Sequence, residues 1–414
     1  MTSKISRLRA AIACLASVAV LGACNAAAAQ EPKIVPGFDG KIIKLGLISA
    51  LTGPGSVIAL PSVDGGDVWW QRVNARGGIA GKYKVEIVKT DHQNLASLSV
   101  QRLNQIRGNI VLVSHFFATH TIKAALPTLR EAHLVAAPVA FDSDWVHEPQ
   151  VIPVGSTYQI QAMNAMDYYV KQGDGRGKKI CAFIRDDSYG QAGLEGVAFA
   201  GKQLGYSVPV VVRYALGDQD FIGQVSQLKR EGCEAVFLGA IVPDAVKIMG
   251  TASQLQYEPR WIAMGPSWSD SLTKSPVFPY MVKNYWVALD GLEWGDQSAP
   301  GMRAMLEDIK AYKPDQKPNY WFTFGYAQAQ VVQKVLEEAV KRGDLSNDGI
   351  IKAVAALQRV DFGGQFAPYT YGKPADRVPP RESSLFKPNA EKPYGLEGLR
   401  MNHASDTAKA YVFP

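Results

Sequence analysis

Residues 41–55 read KIIKLGLISALTGPG, a short apolar run rich in β-branched residues that ends in a turn signal. Such a run predicts a buried β-strand followed by a tight turn. Residues 64–76 then carry apolar side chains at helical spacing and stop at Gly77-Gly78, a pair typical of helix C-termini. This segment is therefore predicted to form a strand followed by a helix.

The same strand–helix unit repeats in two similar runs. The first run continues with strands at 83–91, 109–113 and 133–139 and helices at 95–107 and 121–132. After a crossover at 151–154, the second run has strands at 178–187, 206–216, 234–240 and 260–264 and helices at 191–204, 221–231 and 244–256. Asn319 is a candidate N-cap for a long helix at 320–341. We predict an α/β fold of two doubly wound lobes with mostly parallel sheets, whose ligand lies at the carboxyl ends of the strands.

The composition is that of an ordinary globular chain. Of the 414 residues, 47% are hydrophobic and 20% are charged, which excludes a disordered, collagen-like or polytopic membrane protein. The formal net charge is +6, and half of this surplus disappears if Lys4, Arg7 and Arg9 are removed with a leader segment. Because no dense basic run occurs elsewhere, we expect no nucleic-acid partner.

Residues 1–29 are predicted to be an export signal. Three basic residues precede an apolar core at 10–21, which is too short to span a bilayer as a mature helix. Leu21-Gly22-Ala23-Cys24 is typical of a bacterial lipobox, whereas Ala27 to Gln30 offers an ordinary cleavage site. Both alternatives predict a periplasmic protein, and the first adds a lipid anchor on Cys24.

Cys181 and Cys233 are the two cysteines that remain after loss of the leader. They lie at or just before two strands that could be neighbours. A disulfide and two buried free thiols are both compatible with this position.

Signatures of catalysis are absent from the sequence. No HExxH, GxSxG or GxxxxGK[ST] motif occurs, and the histidines do not have the spacing of metal ligands. Gly173 to Gly177 precedes a strand, whereas a dinucleotide loop follows one, so a turn is predicted there. Asp186-Asp187 is better explained as a strand end or helix cap than as a catalytic pair. These observations favour a binding protein over an enzyme, without a metal or other cofactor.

Five segments resemble the leucine/isoleucine/valine-binding family of type I periplasmic solute-binding proteins. They are IKLGLISALTGPGS, VNARGGIAGKYKVEIVKTDHQN, RDDSYGQAGLEG, GDQDFIGQVSQLKREGCEAVFLGA and YWFTFGYAQAQVV, which occur in the family's order between about residues 41 and 365. The block N-x-x-G-G-I-x-G from Asn74 to Gly81 is the most specific among them.

The resemblance implies a type I periplasmic binding protein fold with a three-strand hinge. The crossovers would lie near 151–156, 263–268 and 355–362. The N-lobe would then comprise 41–153 plus 268–355, and the C-lobe 156–265 plus 360–414. A small-molecule ligand would close the two lobes, and the membrane permease subunits of an ABC importer would recognise the closed form.

The resemblance also indicates that the ligand is not an ordinary amino acid. Ala118 and Phe141 align with hydroxyl residues that hold the α-carboxylate in amino-acid-binding members, and Ser267 aligns with the acid that holds the ammonium group. Thr119 lies beside Ala118 and could restore a hydroxyl. A buried charge without a partner costs several kcal/mol, so a site changed in this way should reject a free amino acid.

Aromatic and apolar side chains are expected around the same cleft. Tyr189 matches a family tyrosine that lines the ligand from the C-lobe. The other candidates are Phe116, Phe117, Phe141, Trp268 and Ile58.

Arg185 is the first candidate counter-charge for an acidic ligand, and His115 is the second; pairing of Arg185 with a nearby aspartate is an open alternative. We therefore expect an importer subunit for an aromatic or otherwise apolar small molecule, with carboxylates among the candidates. A branched-chain amino-acid-binding protein and a ligand-sensing subunit of a membrane receptor are the alternatives.

Overall fold

The first lobe is built on four parallel strands in the order β2-β1-β3-β4. Its elements are β1 (Ile42–Ser49), α1 (Ser56–Ala75), β2 (Lys84–Asp91), α2 (Ala96–Ile106), β3 (Leu112–Phe117), α3 (Thr119–Glu131) and β4 (Ala136–Val139). The computed structural model describes residues 31–414. The predicted signal segment at 1–29, its two cleavage sites and Cys24 lie outside the described residues.

Ten further elements form most of the second lobe, in which β5 to β9 run parallel in the order β9-β8-β7-β5-β6. They are α4 (Tyr158–Lys171), β5 (Ile180–Arg185), α5 (Ser188–Leu204), β6 (Val211–Tyr214), α6 (Ile222–Arg230), β7 (Ala235–Gly239), α7 (Val242–Gln254), β8 (Arg260–Met264), α8 (Phe278–Asn284) and β9 (Tyr285–Leu289). Of the two alternatives for the cysteines, the disulfide is found: it joins Cys181 on β5 to Cys233 just before β7.

The last part of the chain contributes to both lobes. Its elements are α9 (Pro300–Tyr312), α10 (Tyr320–Lys341), α11 (Asn347–Ala356), β10 (Arg359–Val360), β11 (Tyr369–Thr370), β12 (Ser383–Pro388), β13 (Leu396–His403) and α12 (Asp406–Lys409). Helix α10 crosses α1 so closely that a Cβ on Gly65 or Gly325 would overlap the backbone of the other helix. Strand β12 pairs antiparallel with β9 and with β13, which completes a seven-stranded second sheet.

The prediction of two α/β lobes with mostly parallel sheets is confirmed. The predicted helix at 320–341 coincides with α10, and the Asn319 side chain caps it by accepting hydrogen bonds from the Trp321 and Phe322 N–H groups. Helix α1 begins at Ser56, eight residues before the predicted start at 64. Within residues 31–414, no helix combines the length and apolar character needed to cross a bilayer.

The second crossover between the lobes lies further along the chain than predicted. Strand β9 pairs with β8, so the assignment of 268–355 to the first lobe is wrong for its first part. The chain returns to the first lobe before α9, which packs on α1. The apolar run of β9 extends the second sheet by one more parallel strand, and this extra strand moves the crossover to 290–299.

The third crossover also differs from its predicted position. Tyr371 donates a hydrogen bond to the Pro153 carbonyl at 2.6 Å, and Arg377 Nη1 donates to the carbonyls of Glu148 and Val151 at 2.9 and 3.0 Å. These bonds fix the segment before 379 to the first lobe, and β12 then enters the second sheet. The expected crossover at 355–362 and the C-lobe assignment of 360–378 are therefore wrong. The segment at 361–378 is mostly irregular, and an irregular segment has no hydrophobic periodicity from which its lobe could be predicted.

A buried carboxyl group ties the first two crossovers together. Asp290 follows β9 directly and accepts hydrogen bonds from the Ser156 N–H group, at 3.0 Å, and from the Ser156 hydroxyl. Its own N–H group donates to the Tyr320 hydroxyl at 3.3 Å. Burial raises the pKa of Asp290 to about 7, against the opposing effect of the bonds from Ser156. The hinge therefore has an ordered polar core.

Candidate functional site

A cavity of about 420 Å³ lies where the two lobes meet. The strands β3, β4, β5, β7 and β8 direct their carboxyl ends toward it, as expected for a doubly wound fold. Most of its lining residues follow a strand or open a helix. They are Gly55, Ile58, Asn94, Phe117, Ala118, Thr119, Val139, Tyr158, Arg185, Tyr189, Ile241, Pro266 and Trp321.

The lining is mainly apolar, and its aromatic rings are held in place by other rings. Tyr158 packs edge-on against Tyr189, with ring centroids 5.0 Å apart. The Tyr189 hydroxyl donates to the Ala240 carbonyl at 3.1 Å. Burial raises the pKa of both phenols above the ordinary value, so both stay neutral at physiological pH. These contacts leave a rigid wall suited to a flat or apolar molecule.

Arg185 is the charged side chain of this lining within residues 31–414. It is 3% exposed, and its Nε and Nη2 atoms each lie 2.7 Å from Asp187 Oδ2. Burial disfavours the charge on Arg185, but Asp187 outweighs this effect and raises the guanidinium pKa above its usual value. The Nη1 group is buried and has no hydrogen-bond partner in the described chain. One face of a permanent cation is therefore unpaired at the cavity.

The first lobe contributes the N-terminus of α3. No side chain caps this helix, and Ala118 precedes it with φ at 74°, a rare conformation for a residue with a Cβ. The first N–H groups of an α-helix have no partner within the helix, and they attract anions. Thr119 is 1% exposed, and its Oγ1 atom makes no hydrogen bond of good geometry among residues 31–414, although it lies near the Tyr158 hydroxyl. Asn94 Oδ1 likewise makes no hydrogen bond in this part of the chain.

His120 lies between the two sides of the cleft. Its Nε2 atom donates to the Asn94 carbonyl at 3.0 Å, and its Nδ1 atom lies 3.8 Å from Asp187 Oδ2 on the second lobe. Burial and the nearby Arg185 charge lower the pKa of His120, so the imidazole is neutral at pH 7. The polar end of the cavity thus carries the Arg185 cation and several unpaired hydrogen-bonding groups.

The cavity does not provide a partner for an ammonium group. Within the described chain, no aspartate or glutamate lines it, and Asp187 is already paired with Arg185. Residues 31–414 also contain no cluster of three histidine, cysteine or acidic side chains able to hold a metal ion. An anion or a hydrogen-bond acceptor therefore fits this site better than a cation.

The structure brings together six of the residues predicted from the sequence. Ile58, Phe117, Ala118 and Thr119 line the cavity from the first lobe, and Arg185 and Tyr189 line it from the second lobe. Asp187 and Arg185 also form the ion pair that was left open as an alternative. This pairing uses two nitrogens of Arg185 and leaves Nη1 for the cavity.

Four predicted aromatic or polar residues lie behind the cavity wall or elsewhere. Phe116 is fully buried in the core of the first lobe, because neighbouring residues of a strand point to opposite faces. Phe141 stacks behind Trp321, with centroids 6.2 Å apart. Ser267 Oγ donates to the Met264 carbonyl at 2.6 Å and lies 2.7 Å from the Tyr285 hydroxyl, and Trp268 Nε1 donates to the Tyr394 carbonyl at 3.1 Å. Their placement as cavity-lining residues is wrong.

His115 lies in a different cavity, inside the first lobe. Its Nε2 atom is 3.1 Å from Ser49 Oγ in a hydrogen bond. Burial lowers the pKa of His115 to about 3, so this histidine is neutral and cannot serve as a counter-charge. The prediction that His115 is the second candidate for binding an acid is wrong.

Several cavity residues were not predicted. Asn94 and Trp321 occur in two of the segments that carry the family resemblance. Tyr158 is the first residue of the first helix after a crossover. These positions are only a weak indication that the three residues line a cavity. The others are Gly55, Val139, Ile241 and Pro266, which contribute small or apolar surface. Small and apolar residues of this kind look like ordinary core or turn residues in the sequence.

Comparison with known proteins agrees with this architecture. The family model described as periplasmic binding protein matches residues 42–392. A Leu/Ile/Val-binding protein homolog 8 of Brucella abortus is 23% identical over 77% of this chain and 81% of its own. An amino acid binding protein of Pseudomonas aeruginosa is 23% identical over 62% of this chain and 68% of its own.

Solved structures share the fold over nearly the whole chain. A fatty acid ABC transporter substrate-binding protein from Thermomonospora curvata has a TM-score of 0.86 and 23% identity, and covers 92% of this chain and 97% of its own. A branched chain amino acid ABC transporter protein from Thermus thermophilus with bound valine has a TM-score of 0.77 and 16% identity, and covers 89% and 98%. The chain belongs to the periplasmic binding protein family whose model matches it, and its relatives include Leu/Ile/Val-binding protein homologues.

Proposed function

We propose that this protein captures an apolar small molecule with a single carboxylate group and delivers it to the permease subunits of an ABC importer. One observation carries the proposal: the unpaired Nη1 group of Arg185 lies at the same cavity as the uncapped N-terminus of α3 and the unpaired Thr119 hydroxyl. Charge-assisted hydrogen bonds to a carboxylate satisfy all three groups at once.

The apolar part of the ligand then packs against the rings and aliphatic side chains of the cavity. Tyr158 and Trp321 are two of the aromatic residues that line the cavity, and an aromatic ligand is expected to gain from ring–ring contact with them. The name of the Thermomonospora protein, a fatty acid binder, is consistent with an apolar acid at this kind of site. Because the carboxylate contacts both lobes, its binding favours the closed form over the open one.

Export to the periplasm completes the proposed role. The N-terminal segment 1–29 has the pattern of a signal, and Cys24 is the candidate position of a lipid anchor. We infer no chemical step, because the cavity offers neither a nucleophile with an adjacent base nor a metal site within residues 31–414.

Isothermal titration with three matched compounds tests the proposal. Isocaproate is leucine without its amino group, and isocaproamide is the neutral analogue of isocaproate. We expect isocaproate to bind, isocaproamide to bind at least about tenfold more weakly, and leucine to bind more weakly still, because its ammonium group would be buried without a partner.

Tighter binding of leucine than of isocaproate would contradict the proposal and favour a branched-chain amino-acid-binding protein, as the names of several relatives suggest. Equal affinities for isocaproate and isocaproamide would show that Arg185 does not bind the carboxylate. Benzoate, titrated in parallel, tests the preference for a ring.

A further inference from the structure

A row of contacting aromatic side chains links Arg185 to Trp321, and one of its rings, Phe141, lies behind the cavity wall. The guanidinium carbon lies 5.2 Å from the Tyr189 ring centroid, and the Tyr189 and Tyr158 centroids are 5.0 Å apart. The row continues from Tyr158 to Phe141 at 5.4 Å and from Phe141 to Trp321 at 6.2 Å. Arg185 and Trp321 therefore lie at opposite ends of this row, and both line the cavity.

The Trp321 end of the row is closed by rigid packing. Trp321 is 1% exposed, and its Nε1 group donates to the Trp268 carbonyl at 3.1 Å. Its ring packs against Phe141 on one side and against Phe324, with centroids 6.3 Å apart, on another. A change of rotamer would leave a buried N–H group without an acceptor, which is unfavourable. Trp321 therefore cannot move aside at low cost.

We propose that Trp321 forms the end wall of the cavity and limits the length of the ligand. If the carboxylate binds at Arg185, as the proposed function requires, the apolar part extends past Tyr189 and Tyr158 toward Trp321 and must end there. The ligand is thus a compact acid with one ring or a short chain, and long-chain fatty acids are excluded.

Titration with a series of straight-chain acids tests this limit in the full-length mature protein. Butyrate, hexanoate, octanoate, decanoate and palmitate differ only in length. Each buried methylene group adds about 0.8 kcal/mol, so affinity is expected to rise about fourfold per methylene until the chain reaches Trp321. Beyond that length, the affinity of the wild-type protein should fall by at least about tenfold, because the packed wall cannot yield.

The variant Trp321→Ala should move the affinity maximum to acids that are longer by at least about two methylene groups. Trp321→Leu should give a smaller shift and serves as the second variant if the alanine substitution unfolds the protein. Trp286→Ala is the matched control, because Trp286 packs under Arg260 in the second lobe and does not line the cavity. It should leave the wild-type length profile unchanged.

A wild-type affinity that continues to rise up to palmitate would overturn the length limit and leave the carboxylate-binding role intact. The same conclusion follows if neither Trp321 variant moves the maximum. Absence of binding for every acid would instead overturn the proposed function, and the length limit with it. The two failures are therefore distinguishable in one set of titrations.

Discussion

Two of the cavities formed by residues 31–414 have buried polar side chains in their linings, and one of these two has the features of a ligand site. The interlobe cavity contains Arg185, Thr119 and Asn94. The smaller one, of about 270 Å³ inside the first lobe, contains His115 and Gln328. The interlobe lining is mainly apolar, whereas the first-lobe lining also includes the Asp67 carboxyl group, which is paired with Lys89.

The cavities differ in how their hydrogen-bonding groups are used. In the first-lobe cavity, Gln328 Nε2 donates to the Pro138 carbonyl at 2.7 Å, and His115 is bonded to Ser49. In the interlobe cavity, Arg185 Nη1, Thr119 Oγ1 and Asn94 Oδ1 have no partner within residues 31–414. Buried polar groups are nearly always paired in folded proteins, and these three lie together at one cavity between the lobes, where a ligand can pair with them.

The largest expected effect is that of Arg185→Met on ligand binding. Loss of a buried charge partner costs about 3 kcal/mol, so the Kd for isocaproate should rise about 100-fold in isothermal titration. Asp187 still caps α5 by accepting bonds from the Tyr189 and Gly190 N–H groups, which supports folding of the variant. An unchanged Kd in a folded variant, as judged by its thermal midpoint, would show that the interlobe cavity does not bind the acid through Arg185.

His115→Gln should affect stability at acidic pH but not binding. Because burial lowers the pKa of His115 from 6.5 to about 3, the unfolded chain takes up a proton as the pH falls through 6.5, whereas the folded chain does not. The wild-type protein should therefore lose about 2 kcal/mol of stability at pH 5 relative to pH 7 through this residue.

Glutamine has no proton to gain, so the variant should lose less stability between pH 7 and pH 5 in urea unfolding experiments. The Kd for isocaproate at pH 7 should equal that of the wild type within about twofold. A large loss of affinity in this variant would contradict the distinction between the two cavities.

The smallest expected effect is that of Thr119→Val, which keeps the shape of the side chain and removes its hydroxyl. Loss of one hydrogen bond to the charged carboxylate costs about 1.5 kcal/mol, so the Kd should rise about tenfold. Ser114→Ala is the matched control, because the Ser114 hydroxyl donates to the Gly46 carbonyl in the first-lobe cavity. This control should lower the thermal midpoint without changing the Kd. A Kd that rises in Ser114→Ala but not in Thr119→Val would contradict the assignment of the ligand to the interlobe cavity.

The sequence predicted the fold better than the site. Periodicity located the strand–helix units, because each element must bury an apolar face with its own spacing. The lobe boundaries predicted at 268 and 360 were wrong. An apolar run such as β9 and an irregular segment such as 361–378 can be seen in the sequence, but the sequence does not show which lobe either of them joins. Pairing along β9 and hydrogen bonds from Tyr371 decide these assignments, and both arise from tertiary contacts.

Side-chain direction explains most errors in the site. Phe116 and Phe117 are adjacent on β3, and only Phe117 reaches the cavity. Trp268 and Trp321 are in contact through a hydrogen bond, and only Trp321 lines the cavity. The family resemblance pointed to Tyr189, and its position at the end of a strand pointed to Arg185; both line the cavity. The direction of a side chain in a loop depends on packing.

A crystal structure of the wild-type protein with the tightest-binding acid of the titrations tests the central claim most directly. We predict closed lobes, with a carboxylate oxygen about 3 Å from Arg185 Nη1 and within hydrogen-bond distance of Thr119, and with the apolar part directed toward Trp321. A ligand whose carboxylate points away from Arg185, or one bound in the first-lobe cavity beside His115, would contradict this assignment.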